Sequence, residues 1–593
     1  MKHFLITMAG VFAGLVIFMI GIPFVLVAMA AGAAGPAPLP AHAVLQLDLR
    51  ETITDQDPGN PLVSLGRRSL SVMSVIEALK RAETDGRVRG VLVRLPEGGM
   101  EPGAADELRL AFLRLRAAGK PVFAHSQGVY PSAMALMTYM LGASADELWM
   151  QPGAALQATG ISTEDVFLKR FFDKYGVVTD FEQRYEYKNA VNGYLNDDYT
   201  AAHKESQLSW MTSVYESAIN SAARDRKQAP AALRANLEAG PYVAEQARAN
   251  GLIDKVGQVR EAEQALLKRA GDDAEMVDFG DYQRARKERD HAIRSVGSIA
   301  VIEAEGPIVT GRDGGANPFQ GGSTVYSDDV SEAFYDAAKA KDVKAIVFRV
   351  NSPGGSDTAS EQILAGVRAA KAAGKPVVVS MGTYGASGGY WIASEATSIV
   401  AEPTTLTGSI GVFGGKFALG PALARYGVDV RETQVGGAYA DAFSMGKPFT
   451  PDDRAAFAGW MDRIYDNFVA RVAEGRKLTP ERVREIAKGR VWTGAQAHEL
   501  GLVDHVGGFY EAVEQARILA KLEGVPHLKR MSPSASPLEA LQQALGVSAT
   551  SMRTLAAAAW VMGDPKAQAV MDELASARMR SQGALVLAPI PVR

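Results

Sequence analysis

The stretch VKAIVFRVNSPGG (residues 343–355) decides the fold, because it joins a β-branched run to a glycine-rich turn and recurs earlier in the chain. The earlier copy is VRGVLVRLPEGG (residues 88–99). Two further matched pairs are AAGKPVFAHS (117–126) with AAGKPVVVSM (372–381), and ARANGLIDKVGQVREA (247–262) with AHELGLVDHVGGFYEA (497–512). Since the copies lie roughly 250 residues apart, they predict two duplicated domains and not a solenoid of short repeats.

Within the second copy, short β-branched runs alternate with stretches rich in alanine and charge. The runs 299–303, 345–350 and 376–380 predict strands, whereas SDDVSEAFYDAAKAK and ASEQILAGVRAAKAAG predict helices. Alternation of this kind requires crossover helices between parallel strands. The sequence therefore predicts an α/β fold.

The predicted organisation follows from these repeats and from changes in composition. The segments are a cytoplasmic tail (1–3), a transmembrane anchor (4–33), a first unit (34–275), a linker helix (276–297), a second unit (298–528) and a C-terminal helical extension (529–593).

Composition excludes several classes of protein. The 593 residues contain no cysteine, which rules out disulfides, cysteine-ligated zinc and a cysteine nucleophile. A net charge of −4 gives no reason to expect nucleic-acid binding. The sequence shows no metal-ligand cluster or phosphate-binding loop, so we predict neither a metal nor a cofactor.

The N-terminus carries an apolar run without a charged residue between Lys2 and Asp48. The part from Phe4 to Ala31 would span about 42 Å as a helix, enough to cross a hydrocarbon layer of about 30 Å. A cleaved signal peptide is the alternative, because residues 41–43 read Ala-His-Ala. The length of the run favours an uncleaved anchor, and Lys2 favours a cytoplasmic tail with an exported body.

Ser387 stands in a G-x-S-x-G frame between a predicted strand and a predicted helix. This context is typical of a nucleophile elbow, which needs a histidine base. His498, His505 and His527 follow in the chain, but none stands in a motif typical of a catalytic loop. Since the repeat places Ser132 opposite Ser387, a helix N-cap is the favoured interpretation of this serine.

Ser409 and Lys188 show a complementary asymmetry. The second unit has Ser409 where the first has only alanine, threonine or isoleucine, in LQATGIS. The first unit has Lys188 where the second has Ala438. This asymmetry predicts one composite site shared by the two units.

Four motifs together resemble the signal peptide peptidase A family in its long, duplicated bacterial form: RVNSPGGS, VVVSMGTYGASGGYWIA, TLTGSIGVFGG and YKNAVN. The resemblance implies a Clp-protease/crotonase-like fold and a Ser/Lys-dyad serine protease. It implies Ser409 as the nucleophile, Lys188 as the general base, and Gly354 and Gly355 as oxyanion donors.

The resemblance also implies substrates, partners and location. These are remnant signal peptides and other extended apolar peptides, a homotetramer, membrane lipid around the N-terminal helix, and a catalytic body on the periplasmic side of a bacterial inner membrane. The alternatives are an acyl-thioester enzyme of crotonase type, an α/β-hydrolase-type esterase using Ser387, and a non-catalytic membrane scaffold.

Overall fold

The computed structural model describes residues 39–50, 53–57, 70–130, 134–287, 297–313 and 323–531, together with the backbone of 585–587. The predicted tail (1–3) and anchor (4–33), and also Ser132, lie outside these residues. Among the described helices, none combines the length and the hydropathy needed to cross a membrane.

The first unit is built from short strands and helices that follow one another along the chain. Its strands are β1 (Ala43–Asp48), β2 (Val88–Arg94), β3 (Val122–Ser126), β4 (Glu147–Met150), β5 (Ala155–Leu156), β6 (Val178–Gln183), β7 (Tyr242–Val243), β8 (Lys255–Val256) and β9 (Glu275–Asp278). Its helices are α1 (Val72–Thr84), α2 (Pro102–Ala117), α3 (Ala135–Ala143), α4 (Lys169–Tyr175), α5 (Asn192–Leu195), α6 (Ala201–Asp225), α7 (Pro230–Glu238), α8 (Ala244–Ala249), α9 (Val259–Ala270) and α10 (Phe279–Lys287).

The second unit repeats this plan. Its strands are β10 (Ser298–Glu305), β11 (Ile308–Val309), β12 (Val325–Tyr326), β13 (Val343–Ser352), β14 (Gly354–Ser356), β15 (Val377–Ala386), β16 (Ser398–Ala401), β17 (Leu406–Gly408), β18 (Phe413–Ala418), β19 (Val491–Thr493), β20 (His505–Val506), β21 (His527–Arg530) and β22 (Leu585–Leu587). Its helices are α11 (Ser327–Lys339), α12 (Asp357–Ala372), α13 (Gly388–Ala393), α14 (Gly420–Ala424), α15 (Pro451–Arg476), α16 (Pro480–Ile486), α17 (Gly494–Glu499) and α18 (Phe509–Leu519).

Each unit is built on its own sheet, and the α/β prediction is confirmed. The strand order is β8-β4-β3-β2-β1-β9 in the first unit and β19-β17-β15-β13-β10-β21 in the second. The neighbouring strands are parallel, except that β19 is antiparallel to β17. The central strands are buried along nearly their whole length, as expected for parallel strands covered by helices on both faces.

Two strands of the second sheet are longer than the sequence predicts, and their ends define the candidate site. Strand β13 continues to Ser352 and β15 continues to Ala386. The chain therefore leaves β13 directly into the turn before Gly354, and leaves β15 directly into Ser387. Carboxyl ends of parallel strands in open α/β sheets form the usual place for a ligand crevice.

The structure differs from two predicted boundaries. Residues 275–278 form β9, which pairs with β1, and helix α10 buries Phe279 and Tyr282 against the first unit. This part of the predicted linker helix (276–297) is therefore core of the first unit, and residues 288–296 lie outside the described chain. Strand β21 crosses the predicted boundary at residue 528, and residues 585–587 of the predicted helical extension are a strand.

An antiparallel ladder joins the two units. Strand β6 of the first unit pairs with β18 of the second from Val178 opposite Ala418 to Gln183 opposite Phe413. Aromatic rings pack beside it, with centroids 5.0 Å apart for Phe181 and Phe417. The ladder fixes the register between the units, so the residues that follow β6 are held next to those that precede β18.

Candidate active site

Lys188 reaches the second unit because it follows the inter-unit ladder. After β6, the backbone N–H of Tyr187 donates to the carbonyl of Lys488 at 3.2 Å. Gly489 then allows the two backbone segments to approach each other closely. A Cβ at position 489 would lie 2.5 Å from the Lys188 Cβ and 2.6 Å from the Lys188 backbone nitrogen. The lysine side chain is fully buried as a result.

The Lys188 amine contacts both candidate serines. Its Nζ donates to Ser387 Oγ at 2.7 Å, to Ser409 Oγ at 3.0 Å and to the Ser409 carbonyl at 2.9 Å. Both serines are fully buried. The predicted composite site is therefore assembled from one residue of the first unit and two of the second.

Burial controls the charge of this lysine. Removal from water lowers the pKa of the Lys188 ammonium well below its ordinary value. Within the described part of the chain, no salt bridge joins Lys188 to a carboxylate that would oppose this shift. A lysine in such surroundings can accept a proton near neutral pH.

The walls of the lysine pocket are formed by serines and glycines and not by the neighbouring tyrosine. Tyr185, three residues before Lys188, is 47% exposed and contacts Tyr465 with ring centroids 4.8 Å apart and ring planes tilted by 52°. The pocket is instead closed by the two serines and by glycines, including Gly411, where a Cβ would lie 3.2 Å from the Lys188 Cδ. Close backbone approach, and not an aromatic cage, excludes water from the amine.

Ser387 is not the helix cap that the repeat suggested. Its side chain makes no capping hydrogen bond to α13, and its hydroxyl accepts from Lys188 instead. Its φ and ψ of 56° and −119° are strained for a residue with a side chain. A strained strand-to-helix turn that presents a serine hydroxyl is the geometry of a nucleophile elbow. The G-x-S-x-G frame in the sequence indicated this geometry. The lack of a histidine in a motif typical of a catalytic loop favoured the cap interpretation instead.

Ser409 lies on the opposite side of the amine. Its backbone N–H donates to the carbonyl of Arg490 at 2.7 Å, and its hydroxyl approaches the carbonyl of Gly489 at 3.4 Å. It also has a positive φ, 48°, which turns both its carbonyl and its hydroxyl towards Lys188. Ser409 therefore contacts the lysine through two of its oxygen atoms.

Gly354 and Gly355 form strand β14 immediately beside Ser387. A Cβ on Gly388 would lie 2.9 Å from the Gly355 nitrogen and 3.2 Å from the Gly354 Cα, so the Ser387 turn and this strand are in contact. Gly354 has a φ of 112°, which a residue with a side chain rarely adopts, and its N–H donates to Ser352 Oγ at 3.2 Å. The predicted oxyanion glycines therefore adjoin Ser387.

The histidines considered for an esterase lie elsewhere. His498 Nδ1 contacts the carbonyl of Val503 at 3.2 Å within α17 and the loop that follows. His505 is in β20, which pairs with β16, and His527 is in β21, at the edge of the second sheet next to β10. The recorded partner of Ser387 is a lysine, so the geometry does not favour a Ser-His pair.

The comparisons with known proteins identify the family of the chain. The sequence model of peptidase family S49 matches residues 114–273 and 369–523, one segment in each unit. "Protease 4" of Salmonella typhi is 34% identical over 511 residues, which are 82% of this chain and 79% of that protein. "Serine protease SPPA, chloroplastic" of Arabidopsis thaliana is 28% identical over 485 residues, which are 81% of this chain and 69% of that protein.

Among solved structures, a ClpP1 variant from Listeria monocytogenes covers 36% of this chain and 94% of its own, at 14% identity and a TM-score of 0.23. That likeness is too slight to carry an argument, and the Clp/crotonase-like fold stays a prediction. The family match in both units and the relative aligned along most of its length exclude a non-catalytic scaffold. The chain belongs to peptidase family S49 and is a serine protease.

Proposed function

We propose that Ser387 is the nucleophile of this protease, that Lys188 is its general base, and that Ser409 holds the lysine amine in position. The observation that carries the proposal is the buried contact of 2.7 Å between Lys188 Nζ and Ser387 Oγ. The sequence-based assignment gave Ser409 the nucleophilic role, and the proposal exchanges the roles of the two serines.

Two features favour Ser387 over Ser409 as the attacking group. Ser387 occupies the strained turn between β15 and α13, and it adjoins the glycine strand β14. Ser409 instead faces the carbonyls of Gly489 and Arg490, which would repel a developing oxyanion. A nucleophile must stand next to backbone N–H groups that can stabilise the negative charge.

The reaction would begin with Lys188 in its neutral form, which burial favours. The Ser387 hydroxyl gives its proton to Nζ while Oγ forms a bond to the peptide carbonyl carbon. The carbonyl oxygen becomes an oxyanion, stabilised by N–H groups of the Gly354–Gly355 strand and of Gly388, the residue after the nucleophile. The Lys188 ammonium then protonates the leaving amine, and water, activated by the same lysine, hydrolyses the acyl-enzyme.

Alanine substitutions test the roles of the two serines. With a short apolar peptide amide, we expect Ser387→Ala and Lys188→Ala to lower kcat by on the order of 10⁴-fold or more. Ser409→Ala should cost less, about 10–10²-fold, because the lysine keeps its contact with Ser387. Circular dichroism should show all three variants folded. Loss of activity in Ser409→Ala with activity retained in Ser387→Ala would restore Ser409 as the nucleophile.

A pH profile tests the lysine base independently. Because burial lowers the pKa of Lys188, kcat/KM should rise with pH and level off well below the ordinary lysine pKa. Lys188→Arg should be inactive throughout, since a guanidinium does not release its proton in this range. A rate that rises only above pH 10 would contradict a buried lysine base.

We propose extended apolar peptides, and remnant signal peptides among them, as the substrates. Two observations support this proposal. The Ser387–Lys188 pair is buried from water, and the glycine strand β14 beside it has no side chains at Gly354 and Gly355 that would keep an extended peptide away. Incubation with a synthetic signal peptide and with a folded protein of similar composition tests this. Cleavage of the peptide alone is expected, and equal cleavage of both would refute it.

The apolar run at 4–33 would anchor the chain in a bacterial inner membrane, with residues 1–3 cytoplasmic and the body periplasmic. Protease added to intact spheroplasts should then digest the body. Full protection of the body until the membrane is lysed would contradict this orientation.

Assembly into a homotetramer is proposed from the repeat itself. The counterpart of β6 in the second unit is the largely exposed segment 428–433; within it Val428 is 51% exposed, and beyond it Val435 is 97% exposed. In the first unit, Val166 precedes α4 and is 61% exposed. Contact between such segments of successive copies would be head-to-tail and could close a ring. Light scattering in mild detergent should give a closed oligomer, and an active monomer would refute it.

A further inference from the structure

Strand β14 has two neighbours, and the second comes from the far end of the chain. One edge of β14 pairs in parallel with β11, where Ile308 lies opposite Gly355. The other edge pairs antiparallel with β22, with Gly354 opposite Leu587, Gly355 opposite Val586 and Ser356 opposite Leu585. A segment roughly 230 residues distant along the chain therefore covers the glycine strand of the candidate active site.

Strand β22 is the edge strand of a small sheet that also contains β11, β12 and β14. On one side it pairs with β14, which adjoins the Ser387 turn. It is also close to β18, the strand that follows Ser409. The backbone of 585–587 is thus paired with one strand beside the candidate site and close to a second.

The direction of β22 is also significant. Because the pairing is antiparallel, the carboxyl end of β22 lies opposite Gly354 and its amino end lies opposite Ser356. Gly354 and Gly355, the predicted oxyanion donors, both lie opposite residues of β22. A peptide strand in this register would therefore lie along the two predicted oxyanion glycines, which adjoin the Ser387 turn.

We propose that residues 585–587 occupy the substrate-strand position of this protease and compete, as a tethered segment, with peptide substrates. This inference rests on the proposed function, because it treats β14 as the strand that binds substrate. Main-chain hydrogen bonds to an open sheet edge recognise any extended peptide, whatever its side chains. A segment of the same chain has a high effective concentration at the edge of β14. Even a segment that pairs weakly therefore occupies this edge for much of the time.

Truncation tests the competition. A chain ending at Ala584 lacks β22, whereas a chain ending at Leu587 keeps it and is the matched control. With a short apolar peptide amide, we expect the first truncation to lower KM roughly tenfold with kcat unchanged. The reason is that a larger fraction of the protein molecules has the edge of β14 free to bind substrate. The control should have the KM of the full chain. Equal KM values for all three proteins would overturn the proposal.

A full-length variant keeps the test valid if truncation prevents folding. Val586→Pro removes the backbone N–H of the residue opposite Gly355 and should lower KM as the truncation does. Val586→Ala keeps the N–H and should leave KM unchanged. A KM for Val586→Pro equal to that of Val586→Ala would also overturn the proposal.

A synthetic peptide with the sequence of residues 582–593 supplies the reverse experiment. Added to the protein truncated at Ala584, it should raise KM without changing kcat, and a scrambled peptide should not. The two hypotheses fail differently. Full activity in Ser387→Ala and Lys188→Ala would refute the proposed catalytic residues, whereas their inactivity together with unchanged KM in every β22 variant would refute only the competition.

Discussion

Residues 178–191 of the first unit and 428–441 of the second hold matching places in the repeat, yet their structures differ. The first segment forms β6, pairs with β18 and carries the buried Lys188 after the strand. The second has no strand, is exposed along nearly all of its length and carries Ala438 where the first has Lys188. One ancestral segment therefore has two structures within a single chain.

The difference shows that burial, and not sequence alone, makes Lys188 a base. Its pKa is lowered because the ladder brings it under the second unit, against Gly489 and the two serines. The counterpart segment in the second unit has no comparable partner among the described residues of this chain. A lysine placed there would stay in water and stay charged.

The largest expected effect comes from moving the lysine between the two segments. Lys188→Ala should lose on the order of 10⁴-fold in kcat, and adding Ala438→Lys should restore none of it, because position 438 is exposed. Steady-state kinetics of the single and double variants measure this. Recovery of activity in the double variant would show that burial of the lysine is not required for catalysis.

The second prediction compares the matching arginines Arg349 and Arg94. Arg349 is fully buried in the contact between the units and binds Asp55 at 2.6 Å and Glu107 at 3.0 Å. Arg349→Met would leave two buried carboxylates without their cation and should cost about 3–5 kcal/mol of stability. Urea unfolding measures the change.

Arg94→Met is the matched control, since Arg94 bonds to Gln127 at 2.8 Å and is close to the second cation Arg50. We expect a loss of only about 1 kcal/mol there. Similar losses at the two positions would mean that the ion cluster between the units has no special role.

The third prediction concerns the close approach at Gly489. This glycine has a φ of 81°, and a Cβ would overlap Lys188. Gly489→Ala should push the lysine away from the serines and lower kcat by about 10–10²-fold. Gly374→Ala is the control, because Gly374 has a similar φ of 77° with open space around it.

Gly374→Ala should show only the cost of backbone strain, about 1 kcal/mol, with kcat unchanged. Kinetics and thermal unfolding of the two variants separate displacement of the lysine from strain. An unchanged kcat in Gly489→Ala would mean that the lysine tolerates a shift of its backbone.

The smallest expected effect is a pH dependence of stability, and it concerns Glu402, which lies near the ion cluster of Arg349 and Glu107 between the units. Burial, followed by the nearby carboxyl groups of Glu107 and Asp106, raises the pKa of Glu402 well above its ordinary value. A raised pKa stabilises the folded state at low pH, and this stability is lost as the pH rises through the folded-state pKa. Glu402→Gln should therefore lose less stability than the wild type between pH 5 and pH 9, by on the order of 1 kcal/mol. Parallel pH dependences of Tm would contradict a protonated Glu402.

Much of the fold was predictable because its signals are local. The period-2 and period-3.6 patterns and the duplicated motifs depend on residues a few positions apart, so they indicate two α/β units and the pairing of Lys188 with Ala438. The same repeat misled at Ser387, since a match to Ser132 suggests a cap, whereas the hydroxyl bonds to a lysine 199 residues away.

The sequence by itself determined the two-unit α/β architecture, the protease family and the small set of residues from which the site is built: Lys188, Ser387, Ser409, Gly354 and Gly355. The tertiary structure alone decided which serine meets the glycine strand, how deeply the lysine is buried, and that residues 585–587 cover β14. The physical reason is that strand and helix patterns are set by neighbours in the chain, whereas a pKa and a hydrogen bond depend on groups that only the β6–β18 ladder brings together.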